Sequence, residues 1–185
     1  MAIETEKKYR LDKRRLVELA AKLRESEAVF SSESFEENYL HRGGLLDKRN
    51  AVLRLRKIGD TTYLTYKERM GSDGDFKHKV EHETTVADVN EMENIIAKLG
   101  YTLAVVYEKH RKTWHLADCE IVLDELPFGV YMEIEGTVDA ILKVEKLLGV
   151  EDLTAELRGY PSLTAKYGKN IKGVKEARFE RATVV

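Results

Sequence analysis

The sequence predicts an α+β domain: an antiparallel sheet of about eight strands, closed into a β-barrel with helices packed outside. Three observations carry that prediction. Polar and apolar residues alternate with period 2 over eight stretches, turn signals stand between several consecutive stretches, and three short segments switch to a helical period. Tight turns between sequential strands make the sheet antiparallel, and eight strands are enough to close on themselves.

The first strand lies near residues 2 to 9. A helical pattern over 12 to 25 follows, with Leu16, Leu19, Ala20 and Leu23 on one face and Asp12 placed as N-cap. Strands near 28 to 41, 51 to 58, 61 to 69 and 76 to 86 come next; Gly59-Asp60 separates the third from the fourth, and Gly71-Ser72-Asp73-Gly74 the fourth from the fifth. The second helix, 88 to 99, aligns Met92, Ile95, Ile96 and Leu99, with Asp88 and Glu91 resembling a capping box and Gly100 ending it. Strands near 102 to 116, 118 to 126 and 129 to 136 complete the set, the last two parted by Pro127-Phe128-Gly129. A third helix, 138 to 148, starts after Thr137, carries Val138, Ile141, Leu142 and Leu148, and stops at Gly149.

At 185 residues with only Pro127 and Pro161 and no Gly, Ser or Pro-rich linker, the chain suits one domain. The charged fraction of 35% exceeds the roughly 25% usual for globular domains. Yet 33 acidic against 31 basic residues leave a net charge of −2, so no general affinity for nucleic acid is expected. Cys119 is alone, which excludes an intrachain disulfide and a thiolate metal site and fits a reducing compartment. Neither a signal-peptide core nor a run near the ~18 apolar residues of a membrane span is visible, so a cytoplasmic protein without membrane contact is expected.

The charges are organised by strand parity. The first strand places Glu4, Glu6 and Lys8 on one face; the third places Arg54 and Arg56 opposite Leu53 and Leu55. The fourth adds Tyr63, Thr65 and Lys67, the fifth Lys79, Glu81 and Glu83, the sixth Lys109 and Arg111, and the eighth Glu133 and Glu135. A one-sided sheet with a solvated face explains any one of these pairs. Solvated faces, however, intersperse signs along each strand, whereas here Arg54, Arg56, Lys67, Lys109 and Arg111 are concentrated by strand and most of the acids lie on other strands. That sorting points to a ligand both anionic and metal-bearing. Oligophosphate meets the demand: Arg forks and Lys ammonium groups match its oxygens, and carboxylates two residues apart on a strand, roughly 7 Å from the rise of about 3.3 Å per residue, suit a hard divalent cation.

The opening Glu4-Thr5-Glu6-Lys7-Lys8 resembles the E-x-E-x-K start of the CYTH superfamily, the triphosphate tunnel metalloenzymes, which include class IV adenylyl cyclases, thiamine triphosphatases and inorganic triphosphatases. Later pieces follow in that family's order: Asn38-Tyr39, Leu53-Arg54-Leu55-Arg56 with Gly59, Leu64-Thr65-Tyr66-Lys67, Glu81-His82-Glu83, Lys109-His110-Arg111, Leu123-Asp124-Glu125, Glu133-Ile134-Glu135, and Ser162-Leu163-Thr164 with Lys166-Tyr167 near a C-terminal helix. The resemblance covers about nine-tenths of the chain; it implies a tunnel domain over 1 to 168 and leaves 169 to 185 as a basic, partly mobile tail. It implies that Lys8, Arg54, Arg56, Lys67, Lys79, Lys109 and Arg111 hold phosphates. Glu4, Glu6, Glu81, Glu83, Asp124, Glu133 and Glu135 would bind or orient Mg2+ or Mn2+, and Lys8, Tyr39 and Arg56 would serve catalysis, Tyr39 by activating water.

Two departures from the family's pattern bear on activity. The second strand reads Tyr39-Leu40-His41 where the family usually has Tyr-aromatic-Asp, leaving His41 as either an acid or base or an ordinary surface histidine. Class IV cyclases also resemble one another in a His-Phe dipeptide before E-x-E-x-K; here Met1-Ala2-Ile3 stand instead, and no residue plainly supplies a base-reading pocket. The expectation is therefore metal-dependent hydrolysis of inorganic triphosphate or an organic triphosphate, with an adenylyl cyclase or a non-catalytic polyphosphate or nucleotide-binding module as alternatives. The expected partner is a triphosphate-bearing small molecule, and the chain is compatible with a homodimer.

Overall fold

The computed structural model describes residues 3 to 181. Its elements run β1 (Ile3–Leu11), α1 (Lys13–Glu25), β2 (Val29–Arg42), α2 (Gly44–Lys48), β3 (Ala51–Ile58), β4 (Thr61–Asp73), β5 (Phe76–Val86), α3 (Val89–Lys98), β6 (Thr102–Leu116), β7 (Cys119–Leu126), β8 (Gly129–Glu135), α4 (Val138–Leu148), α5 (Tyr160–Tyr167), β9 (Lys169–Ile171) and β10 (Val174–Ala177). The first eight strands are ordered β2-β3-β4-β5-β1-β8-β7-β6, and β2 pairs antiparallel with β6 to close them into a barrel. Each neighbouring pair within that ring is antiparallel, as the short turns require.

The hydrophobic core lies outside the barrel. Tyr9, Leu11, Trp114, Ile121, Leu123, Met132 and Ile134 point outward from β1, β6, β7 and β8 and pack against Leu19 and Leu23 of α1 and Ile141, Val144 and Leu148 of α4. Because side chains alternate across a strand, putting these apolar residues under the helices sends the ionic parity inward. Both helices are locally specified: Asp12 accepts from the Arg15 N–H at 2.7 Å, Thr137 caps α4, and Gly149 ends it at φ 60°, where a side chain would be strained. A second cluster joins Leu40, Val105, Tyr107, Leu126 and Tyr131 to Tyr160 and Leu163 of α5.

Three expectations need adjustment. The expected apolar face of α3 is buried only at Ile96, while Ile95 and Leu99 are exposed. The five-residue α2 lies inside what the sequence suggests is a plain connection. The tail expected from residue 169 is structured over much of its length. Strand β6 outlasts β7, which covers only His110 to Leu116, so β10 pairs in parallel with Val105 to Tyr107 and β9 adds to β10. Beyond β10, the backbone N–H of Phe179 donates to Glu108 Oε2 at 2.8 Å, and Arg178 also reaches Glu108. Residues 182 to 185 of that expected tail lie outside the described residues. Among the described residues no helix is long and apolar enough to cross a membrane.

Candidate active site: a charge-lined tunnel

Strand parity delivers the ionic residues to the barrel interior, a cavity of about 450 Å³ whose lining includes Glu4, Glu6, Lys8, Arg54, Arg56, Lys67, Lys77, Lys79, Glu81, Glu83, Lys109, Arg111, Glu133 and Glu135. Register sets which of them meet. Lys8 lies opposite Glu133, Glu4 opposite Lys79, Glu6 opposite Lys77 and Lys67 opposite Glu81. The resulting ion pairs include Lys8 Nζ to Glu133 at 3.0 Å, Lys77 Nζ to Glu6 at 2.7 Å, and close contacts of Lys79 with Glu6 and Lys67 with Glu81. On the β3 side, Arg56 Nη2 donates to both Glu83 oxygens at 2.9 Å, and Arg54 Nη2 donates to Thr65 at 3.1 Å and to Glu81 at 3.3 Å.

These acids hold the cations in place, but the pairing leaves gaps. The Nε groups of Arg54 and Arg56 are buried donors with no acceptor among the described residues. Such a group costs about 1 to 3 kcal/mol unless a ligand or water satisfies it. Burial and the neighbouring Lys79 and Arg54 push the Lys67 ammonium down to about 8, against the pull of Glu81 and Glu6. Burial and Lys8 do the same to Lys77, also to about 8, against Glu6 and Glu133. An arriving anion would restore both.

Glu4 and Glu135 have no cation within ion-pair distance among the described residues. Burial, Glu135 and a hydrogen bond with Glu81 raise the Glu4 carboxyl to about 7, outweighing Lys67. Burial likewise raises Glu135 to about 7, with Glu6 and Glu120 adding to it and Lys79 and Lys67 opposing. Among the described residues no three His, Cys, Asp or Glu side chains gather as a ready-made metal cage. The donor chemistry nevertheless fits a hard cation: Glu4 hydrogen-bonds Glu81 and feels the like charge of Glu135, and a divalent ion would supply the missing positive charge.

The expected site residues do not all converge. Asp124 is fully buried behind the lining, with Arg111 Nε on Oδ1 at 2.8 Å and Arg111 Nη2, Tyr160 and Lys109 on Oδ2 at 2.6, 2.7 and 3.4 Å. It is a counter-ion with both oxygens occupied by protein donors. Tyr39 is corrected as well: β2 turns its even-numbered residues inward, so Tyr39 faces outward, bonds Glu37 at 3.2 Å and lies under the Arg178 guanidinium. His41 shares that outer side and is buried, its pKa lowered by desolvation.

Several interior residues escape the reading of strand parity. Glu36 and Asn38 face the interior from β2, Glu36 lying 3.3 Å from Lys109, 3.8 Å from Arg111 and 3.9 Å from Arg56. Glu36 thus puts a carboxylate on the inward face of β2, while His41 stands on the outward face. Lys77 enters from the start of β5, and Tyr160 from outside the barrel.

The CYTH domain matches residues 2–161, which span the whole closed barrel. This chain belongs to the CYTH family. CYTH members are triphosphatases or adenylyl cyclases, generally dependent on a divalent metal. A Methanocaldococcus jannaschii relative, whose name carries a provisional adenylate cyclase assignment, is 29% identical over 150 residues, which are 79% of this chain and 83% of its own. A conserved hypothetical protein from Pyrococcus furiosus shares the CYTH fold with a TM-score of 0.74 at 22% identity, across 86% of this chain and 99% of that one. A Hippeastrum protein, described as a provisional adenylyl cyclase that reveals a dominant triphosphatase activity, superposes with a TM-score of 0.65 at 17% identity, across 86% and 91%.

Proposed function

We propose that this CYTH protein hydrolyses a triphosphate, inorganic or organic, in its tunnel, with a divalent cation bound. The observation that carries this reading is the pair of buried, acceptor-less guanidinium nitrogens, Arg54 Nε and Arg56 Nε, in a lining whose other strong donors are held by carboxylates. An oxyanion with many oxygens would satisfy them while drawing Lys67 and Lys77 fully into charge.

Arg54, Arg56 and Arg111 would grip phosphate oxygens by forked hydrogen bonds, and Lys8, Lys67, Lys79 and Lys109 would add point charge. Lys8 and Arg56 are the groups assigned to charge that develops as the terminal phosphorus is attacked. Glu4 and Glu135 are the carboxylates best suited to the cation, supported by Glu6, Glu81, Glu83 and Glu133 from the walls. The cation supplies charge neutralisation at the phosphate oxygens. Phosphoryl transfer asks little covalent chemistry of a protein, so positioning and electrostatics can account for turnover.

A second reading is favoured by a different observation. Leu40, Val52, Leu157 and Pro161 border the same cavity beside Tyr107, giving it an apolar margin that an organic group on the triphosphate could occupy. That margin and the name of the Methanocaldococcus jannaschii relative support adenylyl cyclase as the alternative. The test offers inorganic triphosphate, thiamine triphosphate and ATP separately with Mg2+ or Mn2+, and scores phosphate release and cyclic AMP together. Hydrolysis predicts phosphate release far above cyclic AMP; mainly cyclic AMP and pyrophosphate from ATP would install the cyclase.

A further inference from the structure

One aromatic residue from outside the barrel touches three separate elements of the cationic wall. The connection between α4 and α5 crosses the barrel beside β1: Ala155 bridges to Tyr9, the Glu156 N–H donates to the Lys8 carbonyl at 2.7 Å, and Lys8 Nζ donates to the Arg158 carbonyl at 3.3 Å. This connection delivers Tyr160, the first residue of α5, into a buried position. Its hydroxyl donates to Asp124 Oδ2 at 2.7 Å, and its ring centroid lies 3.7 Å from Lys8 Nζ and 5.5 Å from Lys109 Nζ.

We propose that Tyr160 is a positioning residue that sets Lys8, Lys109 and Arg111 for the substrate's phosphates; this rests on the triphosphate reading above. The warrant is that the ring reaches both lysines in addition to their carboxylates, Glu133 at 3.0 Å from Lys8 and Glu36 at 3.3 Å from Lys109, and an aromatic ring differs from a carboxylate as a partner. A carboxylate cancels the ammonium charge and competes with phosphate for it. A ring face attracts the ammonium through its quadrupole and leaves the charge in place. The hydroxyl works in the same direction. Asp124 Oδ2 takes its short bonds from Arg111 and Tyr160, and Lys109 stands off from it at 3.4 Å and from Glu36 at 3.3 Å, so neither carboxylate holds it by a short bond. Tyr160 thereby fixes Arg111 through the Asp124 carboxylate and gives both lysines a contact that an arriving phosphate does not have to displace.

Tyr160 also packs against the rings of Tyr107 and Tyr131, at 5.9 and 5.5 Å. A packing role alone predicts lower stability with no selective change in ligand affinity, so the test separates the two. The full chain is compared with Tyr160→Phe, which keeps the ring, Tyr160→Leu, which keeps neither feature, and Arg111→Ala as a control on the site itself. The readouts are KM and kcat on inorganic triphosphate with Mn2+, metal-free triphosphate binding by calorimetry, and thermal midpoint. We expect KM and the binding constant to weaken about threefold in Tyr160→Phe and about tenfold or more in Tyr160→Leu, with kcat within about threefold, whatever the thermal midpoint does. Wild-type affinity in both Tyr160 variants, with Arg111→Ala impaired, would overturn the positioning role alone. Should the leucine variant not fold, unchanged affinity in the phenylalanine variant overturns it equally. If the wild-type protein binds no triphosphate, the reading beneath the proposal falls and takes the proposal with it.

Discussion

Arg111 grips Asp124 with two nearly parallel bonds, Nε to Oδ1 at 2.8 Å and Nη2 to Oδ2 at 2.6 Å, while Nη2 also reaches Glu133 at 3.0 Å. The Asp124 carboxylate is completely buried, so its charge is tolerable only because Arg111, Lys109 and Tyr160 surround it. Asp124→Asn keeps the shape but leaves Arg111 and Lys109 short of an anion. The expected result is a loss of about 3 to 5 kcal/mol in unfolding free energy by urea titration. A loss below about 1 kcal/mol, typical of an exposed pair, would contradict that burial.

Glu36 should make part of the stability depend on acidity. Burial alone would raise its carboxyl, but Lys109, Arg111, Arg56 and Arg54 outweigh burial and hold it down at about 2, against an ordinary 4.5. A carboxyl depressed in the folded state contributes stability that is complete above its unfolded value and lost as pH falls from about 4.5 toward 2. Glu36→Gln is expected to be less stable than wild type by about 2 to 3 kcal/mol at pH 7, with the gap shrinking steadily below pH 4.5. Urea unfolding at a series of pH values checks this; a gap independent of pH would contradict it.

Protons and metal should compete for Glu4 and Glu135. Both carboxyls are raised to about 7, so each carries a proton over much of the range below that value and must release it to ligate. Mn2+ affinity is expected to strengthen as pH rises from 6 to 8, with proton release visible as a buffer-dependent calorimetric enthalpy. Glu4→Gln or Glu135→Gln should abolish metal-dependent turnover yet leave metal-free triphosphate binding largely intact. Loss of that binding with unchanged Mn2+ titration would reverse the roles of acids and cations.

Tyr39 is expected to be dispensable for chemistry because it faces away from the cavity. Tyr39→Phe loses one partly buried bond to Glu37, so kcat/KM should stay within about twofold and stability within about 1 kcal/mol of wild type. A hundredfold fall in kcat would place the phenol at the reacting phosphorus and contradict the orientation of β2.

The contrast between Tyr39 and Arg54 shows what strand patterning can transmit. In β3, Leu53 and Leu55 alternate with Arg54 and Arg56, so the inward face is legible in the residues themselves. In β2, Val29–Arg42, both parities are polar: Glu33, Glu37 and Tyr39 on one, Ser34, Glu36 and Asn38 on the other. Neither face declares itself, and a register shift between Phe30 and Ser32 blurs the period further. Lys77 shares parity with Lys79 and is open to the same reasoning, but it stands at the very start of its strand. Asp124 has the right residue type and parity; only the packing of Tyr160 and Arg111 around it reveals that its oxygens are spent. Tyr160 carries no signal at all, because its approach depends on how α5 docks against β6 and β10. The pairing of β10 with β6 is equally hidden, since it follows from the difference in length between β6 and β7.

The most direct test of the central claim is the steady-state kinetics of Arg56→Ala on inorganic triphosphate with Mn2+ present, alongside the unaltered chain. Arg56 keeps one buried nitrogen without an acceptor and turns another toward Glu83, so it is placed to grip a phosphate in place of that carboxylate. The expected result is a raised KM together with a kcat lowered by about 10²-fold or more, because the same guanidinium binds the ground state and meets charge that develops during transfer. A folded Arg56→Ala protein with the KM and kcat of wild type would contradict the account.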